Sequence, residues 1–185
     1  MRLGIVSDTH DDADAVAAAV DLFESADVDT VIHCGDVVAP FSATPFDTVR
    51  FTFHAVRGNN DGEWALADTV DGFGTYHAEA ATLEVDDLAV AVYHGTSEPL
   101  VEGLVGCGEY DLVCRGHTHE RTHEHHAADG AVTTYQTDGE ASHDLGDGGT
   151  LHLNPGGVPV PGREEPPAGV IVDTETGSVR FETLA

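Results

Sequence analysis

Short apolar runs of strand length alternate with polar and helical segments over the first sixty residues. Buried strands are predicted at 2–8, 29–36 and 51–58. Residues 12–26 are alanine-rich, with apolar residues at helical spacing and acidic residues where a helix would begin, so they predict a helix. A proline-containing connection with a short helix follows the second strand. Alternating strands and helices predict a parallel sheet with right-handed crossovers.

The later part of the chain has a hairpin pattern instead. The predicted elements are a hairpin of 78–85 and 88–94 around an Asp-Asp turn, a helix at 97–106, a buried strand at 111–117 and a terminal hairpin of 169–173 and 178–184. Parallel units followed by hairpins predict an α/β fold, with a mixed sheet or two stacked sheets covered by helices.

Residues 120–150 are polar and rich in histidine and acid, with several turn-forming residues. We expect an extended hairpin or loop here, as a surface insertion in a single domain of residues 1–185. Four histidines lie in it: His123, His125, His126 and His143. Surface histidines in a solvated loop are favoured, and an added metal site or a lid over a pocket are the alternatives.

Composition limits the class of protein. A chain of 185 residues with 41% hydrophobic residues can form one domain with a full core, and is not disordered. No apolar run approaches the roughly 18–20 residues that span a bilayer, and the first strand leads straight into a polar motif. We therefore expect a cytoplasmic protein without a signal peptide. Cys34, Cys107 and Cys114 have no metal-site spacing, and we expect small buried thiols.

The net charge of the chain limits the classes of partner that it can bind. The chain has 34 acidic residues against seven arginines and no lysine, for a net charge of −27. Binding to a nucleic-acid duplex or an anionic membrane needs cations facing phosphates, so neither partner is expected. The acidic residues are scattered among apolar segments, which favours a halophilic protein in a salt-rich cytosol, where screening shortens to about 3 Å at 1 M salt.

Metal-ligating side chains follow five of the predicted strands. The carboxyl ends of parallel strands gather at one edge of a sheet, and residues i and i+2 of an extended segment face the same way. The candidate ligand atoms are oxygens and nitrogens, without sulfur, and they outnumber the four ligands that one tetrahedral zinc takes. The set therefore favours two divalent cations of higher coordination number. A shared carboxylate would place them about 3.5–4 Å apart. The candidate ligands are Asp8, His10, Asp36, Asn59, His94, His117 and His119.

The ordered motifs DTH, GD, GNND, HG and GHTH resemble the calcineurin-like metallophosphoesterases. The short chain, the Asn-Asp after GN and the late NPGG at 154–157 resemble the small bacterial and archaeal phosphodiesterase branch. The resemblance covers nearly the whole chain. It implies a four-layer α/β/β/α sandwich of two mixed sheets with flanking helices.

The resemblance also implies the ligand roles. Asp8, His10 and His119 would hold one ion, Asp36 would bridge, and Asn59, His94 and His117 would hold the other. Manganese is the expected metal, with iron, zinc or nickel as alternatives. A hydroxide between the ions would then attack phosphorus in line, without a covalent enzyme intermediate.

Four residues beside the motifs have two interpretations each. Asn60 stands where many relatives have a histidine that protonates the leaving group; it could orient a phosphoryl oxygen as a catalytic residue, or only shape the turn. Asp61 is expected to cap the following segment or to bond a ligand histidine. Arg57 and Arg115 precede motif glycines, and pairing with nearby acids is favoured over binding phosphate.

The predicted function is a metal-dependent phosphodiesterase acting on a small phosphoester. The alternatives are a non-catalytic protein-interaction scaffold of the same fold, and a phosphomonoesterase or nucleotide pyrophosphatase. A homo-oligomer is compatible with the sequence, but no residue pattern fixes its symmetry.

Overall fold

The structure, a computed structural model, describes residues 1–62, 64–146, 148–162 and 164–184. Asp147, which belongs to the predicted insertion, lies outside the described residues. Within these ranges, none of the helices has both the length and the apolar character that crossing a membrane requires.

Helices and strands alternate at first, and strands dominate later. The helices are α1 (Ala13–Ser25), α2 (Pro40–Ala43), α3 (Trp64–Val70) and α4 (Glu98–Gly106), and a 3-10 helix covers Thr44–Phe46. The strands are β1 (Arg2–Val6), β2 (Thr30–His33), β3 (Thr52–Val56), β4 (Thr75–His77), β5 (Ala80–Val85), β6 (Leu88–Tyr93), β7 (Leu112–Cys114), β8 (Thr122–His126), β9 (Val132–Thr134), β10 (Glu140–Ser142), β11 (Thr150–Asn154), β12 (Ala168–Asp173) and β13 (Ser178–Thr183). The predicted elements are present, most of them a few residues shorter, and α3, β4, β10 and β11 are additions.

Helix α1 begins where the sequence predicts because Asp12 caps its N-terminus. The Asp12 carboxylate accepts hydrogen bonds from the backbone N–H groups of Asp14 and Ala15, at 3.1 and 3.0 Å. These N–H groups have no partner inside the helix, so the cap stabilises its first turn. Val16 and Phe23 of α1 are buried in the core beside the first sheet, which fixes the face that the helix turns inward.

The strands form two mixed sheets. The first has the order β10-β13-β12-β1-β2-β3-β4, and β1 to β4 are parallel while β12 and β13 are antiparallel. The second has the order β5-β6-β7-β11-β8-β9, with β6, β7 and β11 parallel. The predicted parallel start and hairpin continuation are both confirmed, since β5 and β6 pair as an antiparallel hairpin.

Three apolar clusters show that the sheets stack as layers. The largest joins residues of both sheets, such as Ile5 of β1 and Val90 of β6, and fills the space between them. A second cluster packs α1 and α3 on the first sheet, and a third packs α4 on the second, through Val101 and Val105. The predicted four-layer α/β/β/α sandwich is therefore confirmed.

The extended hairpin expected at 120–150 is present, because β8 and β9 pair antiparallel, but the segment is not a surface insertion throughout. Strand β8 pairs along its whole length with β11, in the interior of the second sheet. Strand β10 instead pairs with β13 at the edge of the first sheet. His123 is only 1% exposed and its ring packs on Phe181. The sequence pattern does not predict this position for β8, because its buried side chain is His123 rather than an aliphatic residue.

The three cysteines differ in burial. Cys34 and Cys114 lie in the core between the sheets, as predicted. Cys107 is exposed, which contradicts the expectation of a third buried thiol. It follows the last residue of α4, where the chain turns back toward the surface before β7.

Candidate metal centre

All seven candidate ligands lie on loops that follow strand ends. Strands β1, β2 and β3 are parallel in one sheet, and β6 and β7 are parallel in the other. Their carboxyl ends meet at one side of the sandwich, the usual position of ligand sites in α/β folds. The loops there carry Asp8, His10, Asp36, Asn59, His94, His117 and His119.

The ligand loops have an unusual backbone conformation. Asp8, His10, Asp36, His117 and His119 have φ values of 52°, 43°, 59°, 70° and 55°. The left-handed region is uncommon for residues other than glycine, although Asp and His are enriched there among them. The ligands therefore converge, as Asp8 and His10 were expected to, but through tight left-handed turns rather than extended segments. Such strain concentrates at functional sites, where the surrounding structure holds it in place.

One group of ligand atoms surrounds Asp8. The Oδ1 atom of Asp8 lies 3.8 Å from His10 Nε2 and 3.5 Å from His119 Nε2. The two Nε2 atoms are 3.2 Å apart, and the imidazole rings stack. These three side chains can offer one ligand atom each to a single ion.

A second group surrounds Asp36. The Oδ2 atom of Asp36 lies 3.4 Å from His94 Nε2 and 3.5 Å from His10 Nε2. Asn59 Oδ1 is 3.1 Å from His94 Nε2, and the His117 ring packs against His94 with centroids 5.2 Å apart. Asp36 thus reaches both groups, which is the position that a bridging carboxylate requires.

Backbone carbonyls orient two of the histidines. His94 Nδ1–H donates to the Cys34 carbonyl at 2.8 Å, and His119 Nδ1–H donates to the Val158 carbonyl at 2.7 Å. In the neutral imidazole the other nitrogen, Nε2, then carries a lone pair. Such outer contacts fix the tautomer of metal-binding histidines.

The resulting donor set fits a metal ion. The lone pairs of His94 Nε2 and His119 Nε2 face the oxygens of Asp36 and Asp8, so like-polarity atoms point at each other unless a cation lies between them. Asp8 is fully buried, and its Oδ1 has no hydrogen-bond partner among the described residues. Asp8 Oδ2 accepts hydrogen bonds from Ser7 Oγ–H and the His117 backbone N–H, but a buried carboxylate oxygen without a partner is costly. Divalent cations would satisfy all of these atoms.

Asp36 stays ionised despite its burial. Burial alone would raise its pKa, but the neighbouring His94 imidazole and two hydrogen bonds from Asn60 hold the pKa of Asp36 well below its usual range. Asn60 uses both of its N–H groups for this purpose. Its backbone N–H donates to Asp36 Oδ1 at 2.8 Å, and its side-chain amide donates to Oδ2 at 2.7 Å. Asn60 therefore positions Asp36, a role that the sequence did not indicate.

Asp61 has a structural role, as predicted, but neither of the predicted partners. Its carboxylate accepts hydrogen bonds from the backbone N–H groups of Asp36, Val38 and Gly58, at 3.0, 2.6 and 2.8 Å. It therefore ties the Asp36 loop to the loop that carries Asn59. Neither a cap on the following segment nor a bond to a ligand histidine is observed for it within the described chain.

The two arginines beside the motifs contact acidic side chains. Arg115 donates to both carboxylate oxygens of Glu98 at 3.0 and 3.1 Å and is only 4% exposed. The Arg57 guanidinium donates to the Asp61 carbonyl and lies 3.7 Å from Glu79. These contacts agree with the favoured structural interpretation of both residues.

The loop after β11 supports both metal motifs, a role that the sequence motif alone did not reveal. The Asn154 amide donates to the Gly116 carbonyl and to Thr118 Oγ1, both at 3.0 Å. Val158 donates its backbone N–H to the Asp8 carbonyl, and its own carbonyl accepts from His119. The signal in the sequence is NPGG after a strand, where Gly157 allows a close approach to Asp8: a Cβ atom there would lie 2.4 Å from Asp8 Cβ.

Comparison with known proteins identifies the family. The family model of the calcineurin-like phosphoesterase superfamily domain matches residues 1–177. A phosphodiesterase of Methanocaldococcus jannaschii is 37% identical over 134 residues, which are 67% of this chain and 76% of the relative. A probable metallophosphoesterase of Methanothermobacter thermautotrophicus is 29% identical over 131 residues, 65% of this chain and 67% of the relative.

A solved structure agrees with these sequence relatives. An archaeal phosphodiesterase superposes with a TM-score of 0.78 at 31% sequence identity, and the match covers 100% of both chains. The resemblance of the motifs is therefore confirmed at the level of sequence, family model and fold. The chain belongs to the calcineurin-like phosphoesterase superfamily, in the small branch of archaeal and bacterial proteins.

Proposed function

We propose that this protein is a metal-dependent phosphodiesterase with two divalent ions in its active centre. The observation that carries the proposal is the position of Asp36, whose Oδ2 lies within 3.5 Å of histidines from both ligand groups. The archaeal relatives, which are named as phosphodiesterases, support the choice of reaction.

The ligand assignment follows from the two groups. Asp8, His10 and His119 would hold one ion, and Asp36 would be shared. Asn59, His94 and His117 would complete the second site, where the neutral Asn59 oxygen leaves more positive charge on the ion than a carboxylate would. When bound, the metals supply an activated water for in-line attack and neutralise charge on the phosphoryl oxygens.

The chain's own residues determine what else the active centre can do. Asn60 holds the Asp36 carboxylate through both N–H groups, and an amide cannot give a proton to a leaving group. General acid catalysis typically contributes about 10²–10⁴-fold. The enzyme should therefore prefer esters whose leaving groups depart without protonation.

A substrate and metal panel tests the proposal. We expect hydrolysis of a bis-aryl phosphate that EDTA abolishes and Mn²⁺ restores, with iron, zinc and nickel compared in the same assay. A faster reaction with an aryl phosphate monoester would favour the phosphomonoesterase alternative. No hydrolysis of either ester, despite bound metal, would favour the scaffold alternative.

Substrate size and charge form part of the same proposal. A small phosphoester is proposed rather than a nucleic-acid duplex, because the net charge of −27 would repel an extended polyanion. Histidines and two dications would make the pocket locally positive despite that charge.

Substitution of Asn60 tests its positioning role. For Asn60→Ala we expect kcat to fall roughly tenfold, the lower end of the 10–100-fold range for outer partners of metal ligands. Asn60→Asp should lose more, since its carboxylate would face Asp36 Oδ2 at the position of the present 2.7 Å hydrogen bond. Steady-state kinetics at saturating Mn²⁺ measures both. If kcat were unchanged in Asn60→Ala, Asn60 would not position Asp36 for catalysis and would only shape the turn.

We also propose adaptation to high salt, which rests on the 34 acidic residues against seven arginines. The free energy of unfolding should rise by at least about 3 kcal/mol between low and molar potassium chloride, or roughly 10 °C in Tm for a chain of this size. Screening of like charges is the cause. Thermal unfolding followed by circular dichroism provides the measurement, with an uncharged osmolyte as control. Equal stability in both salt conditions would exclude the adaptation.

A further inference from the structure

The outer face of the second sheet carries a separate cluster of ligand-type side chains. Glu124 and His126 lie two residues apart on β8, so their side chains are on the same face of the sheet. His152 of β11 is directly opposite Glu124 in the antiparallel pairing. The register of two neighbouring strands therefore brings one carboxylate and two imidazoles together.

The three side chains converge on one point. Glu124 Oε2 lies 3.1 Å from His126 Nε2 and 3.3 Å from His152 Nδ1. Zinc–ligand bonds of about 2.0–2.1 Å in a tetrahedron give ligand atoms roughly 3.3 Å apart. Both nitrogens face the same carboxylate oxygen, Glu124 Oε2. A hydrogen-bonded group without an ion would have the same two contacts. These two contacts have the spacing of ligands around one small cation, and all three ligand atoms lie within 4.8 Å of one another.

Burial and access also suit a bound ion. His152 is 7% exposed, and its other nitrogen, Nε2, has no hydrogen-bond partner among the described residues. The polar contact that positions the His152 ring is therefore the one between its Nδ1 atom and Glu124. Glu124 and His126 remain about 30% and 28% exposed, so a hydrated ion can reach them. One side of the site is packed and fixed, and the other is open.

A groove of about 310 Å³ between β8, β11 and α4 leads to the cluster. Glu102 of α4 lines this groove and is exposed. Glu98 also lines it, but its carboxylate is occupied by Arg115. The net charge of the groove is negative, which favours a cation.

We propose that Glu124, His126 and His152 bind a zinc-class divalent cation at a site separate from the catalytic centre. Two histidines and one glutamate form a donor set that zinc uses in proteins. The ion would join β8 to β11 on the face that α4 covers. The proposal does not depend on the phosphodiesterase activity, because it uses none of the seven ligands of the catalytic centre.

The test compares two neighbouring histidine variants. His126→Ala removes a ligand, whereas His125→Ala changes the adjacent residue, whose side chain projects from the opposite face of the same strand. After equilibrium dialysis against zinc, we expect His126→Ala to hold one ion fewer per chain than His125→Ala, as measured by elemental analysis. Any zinc in the catalytic centre is common to both variants and cancels in the difference.

A stability measurement adds a second readout. Zinc should raise the Tm of the wild-type chain and of His125→Ala more than that of His126→Ala. Glu124→Gln, which keeps the shape of the side chain, should lose the ion as His126→Ala does. Equal zinc content in His126→Ala and His125→Ala would overturn the proposal and leave the cluster as a hydrogen-bonded group.

Discussion

Replacing Asp36 with asparagine is expected to reduce diester hydrolysis by at least about 10³-fold, beyond the 10–100-fold loss typical of outer partners of metal ligands. The Asp36 carboxylate reaches histidines of both ligand groups, at 3.5 Å from His10 Nε2 and 3.4 Å from His94 Nε2. The amide has nearly the same shape but lacks the charge that a shared carboxylate supplies to two cations. Hydrolysis of a bis-aryl phosphate with saturating Mn²⁺ measures the effect.

A surface aspartate supplies the matched control. Asp87 is exposed in the turn between β5 and β6, so Asp87→Asn makes the same chemical change far from the ligand loops. It should retain wild-type activity, and both variants should give wild-type circular dichroism spectra. Full activity in Asp36→Asn would refute the assignment of this carboxylate to the metals.

The second large effect is expected from Gly58→Ala. A Cβ atom at this position would lie 2.1 Å from Asp36 Oδ1 and 2.2 Å from the Asp36 backbone nitrogen. Because one of these atoms belongs to the backbone, rotation of a side chain cannot relieve the contact. The Asp36 loop must shift, which should cost roughly 1–3 kcal/mol of stability, as overpacking does, and should displace the Asp36 carboxylate. We expect at least about a 100-fold loss of kcat for a misplacement of this size.

Gly62 offers a matched control four residues later. Among the described residues, a Cβ atom at Gly62 would meet nothing within 4 Å beyond its chain neighbours, so Gly62→Ala should change stability by less than about 0.5 kcal/mol. Both variants are compared by thermal unfolding, bound manganese and diester hydrolysis. If Gly58→Ala matched Gly62→Ala in all three measurements, the packing of Gly58 against Asp36 would have no part in positioning the carboxylate.

The sequence predicts where the site lies because strand ends are local features. Apolar runs of strand length stop at glycine, histidine and aspartate, and the parallel arrangement brings these ends together. The left-handed turns of the ligands could not be predicted in this way. They depend on hydrogen bonds between distant segments, such as Asp8 N–H to the Gly35 carbonyl and His10 N–H to the Asp36 carbonyl, both 3.0 Å.

Strand β11 is a second feature that the sequence pattern could not predict. Its five residues are all buried, but only Leu151 and Leu153 contribute to the apolar core between the sheets. His152 and Asn154 alternate with them and are buried by polar contacts to Glu124 and Gly116. Sequence patterns treat histidine and asparagine as surface residues, so a strand whose second face is polar and buried is missed.

The path of residues 122–142 has a consequence for attempts to shorten this protein. These residues pair with β11 in one sheet and then with β13 in the other. Removing them would leave two strands with unpaired backbone N–H and C=O groups, and such open edges recruit strands from other molecules. A trimmed chain would therefore tend to aggregate, even though every catalytic ligand would still be encoded in it.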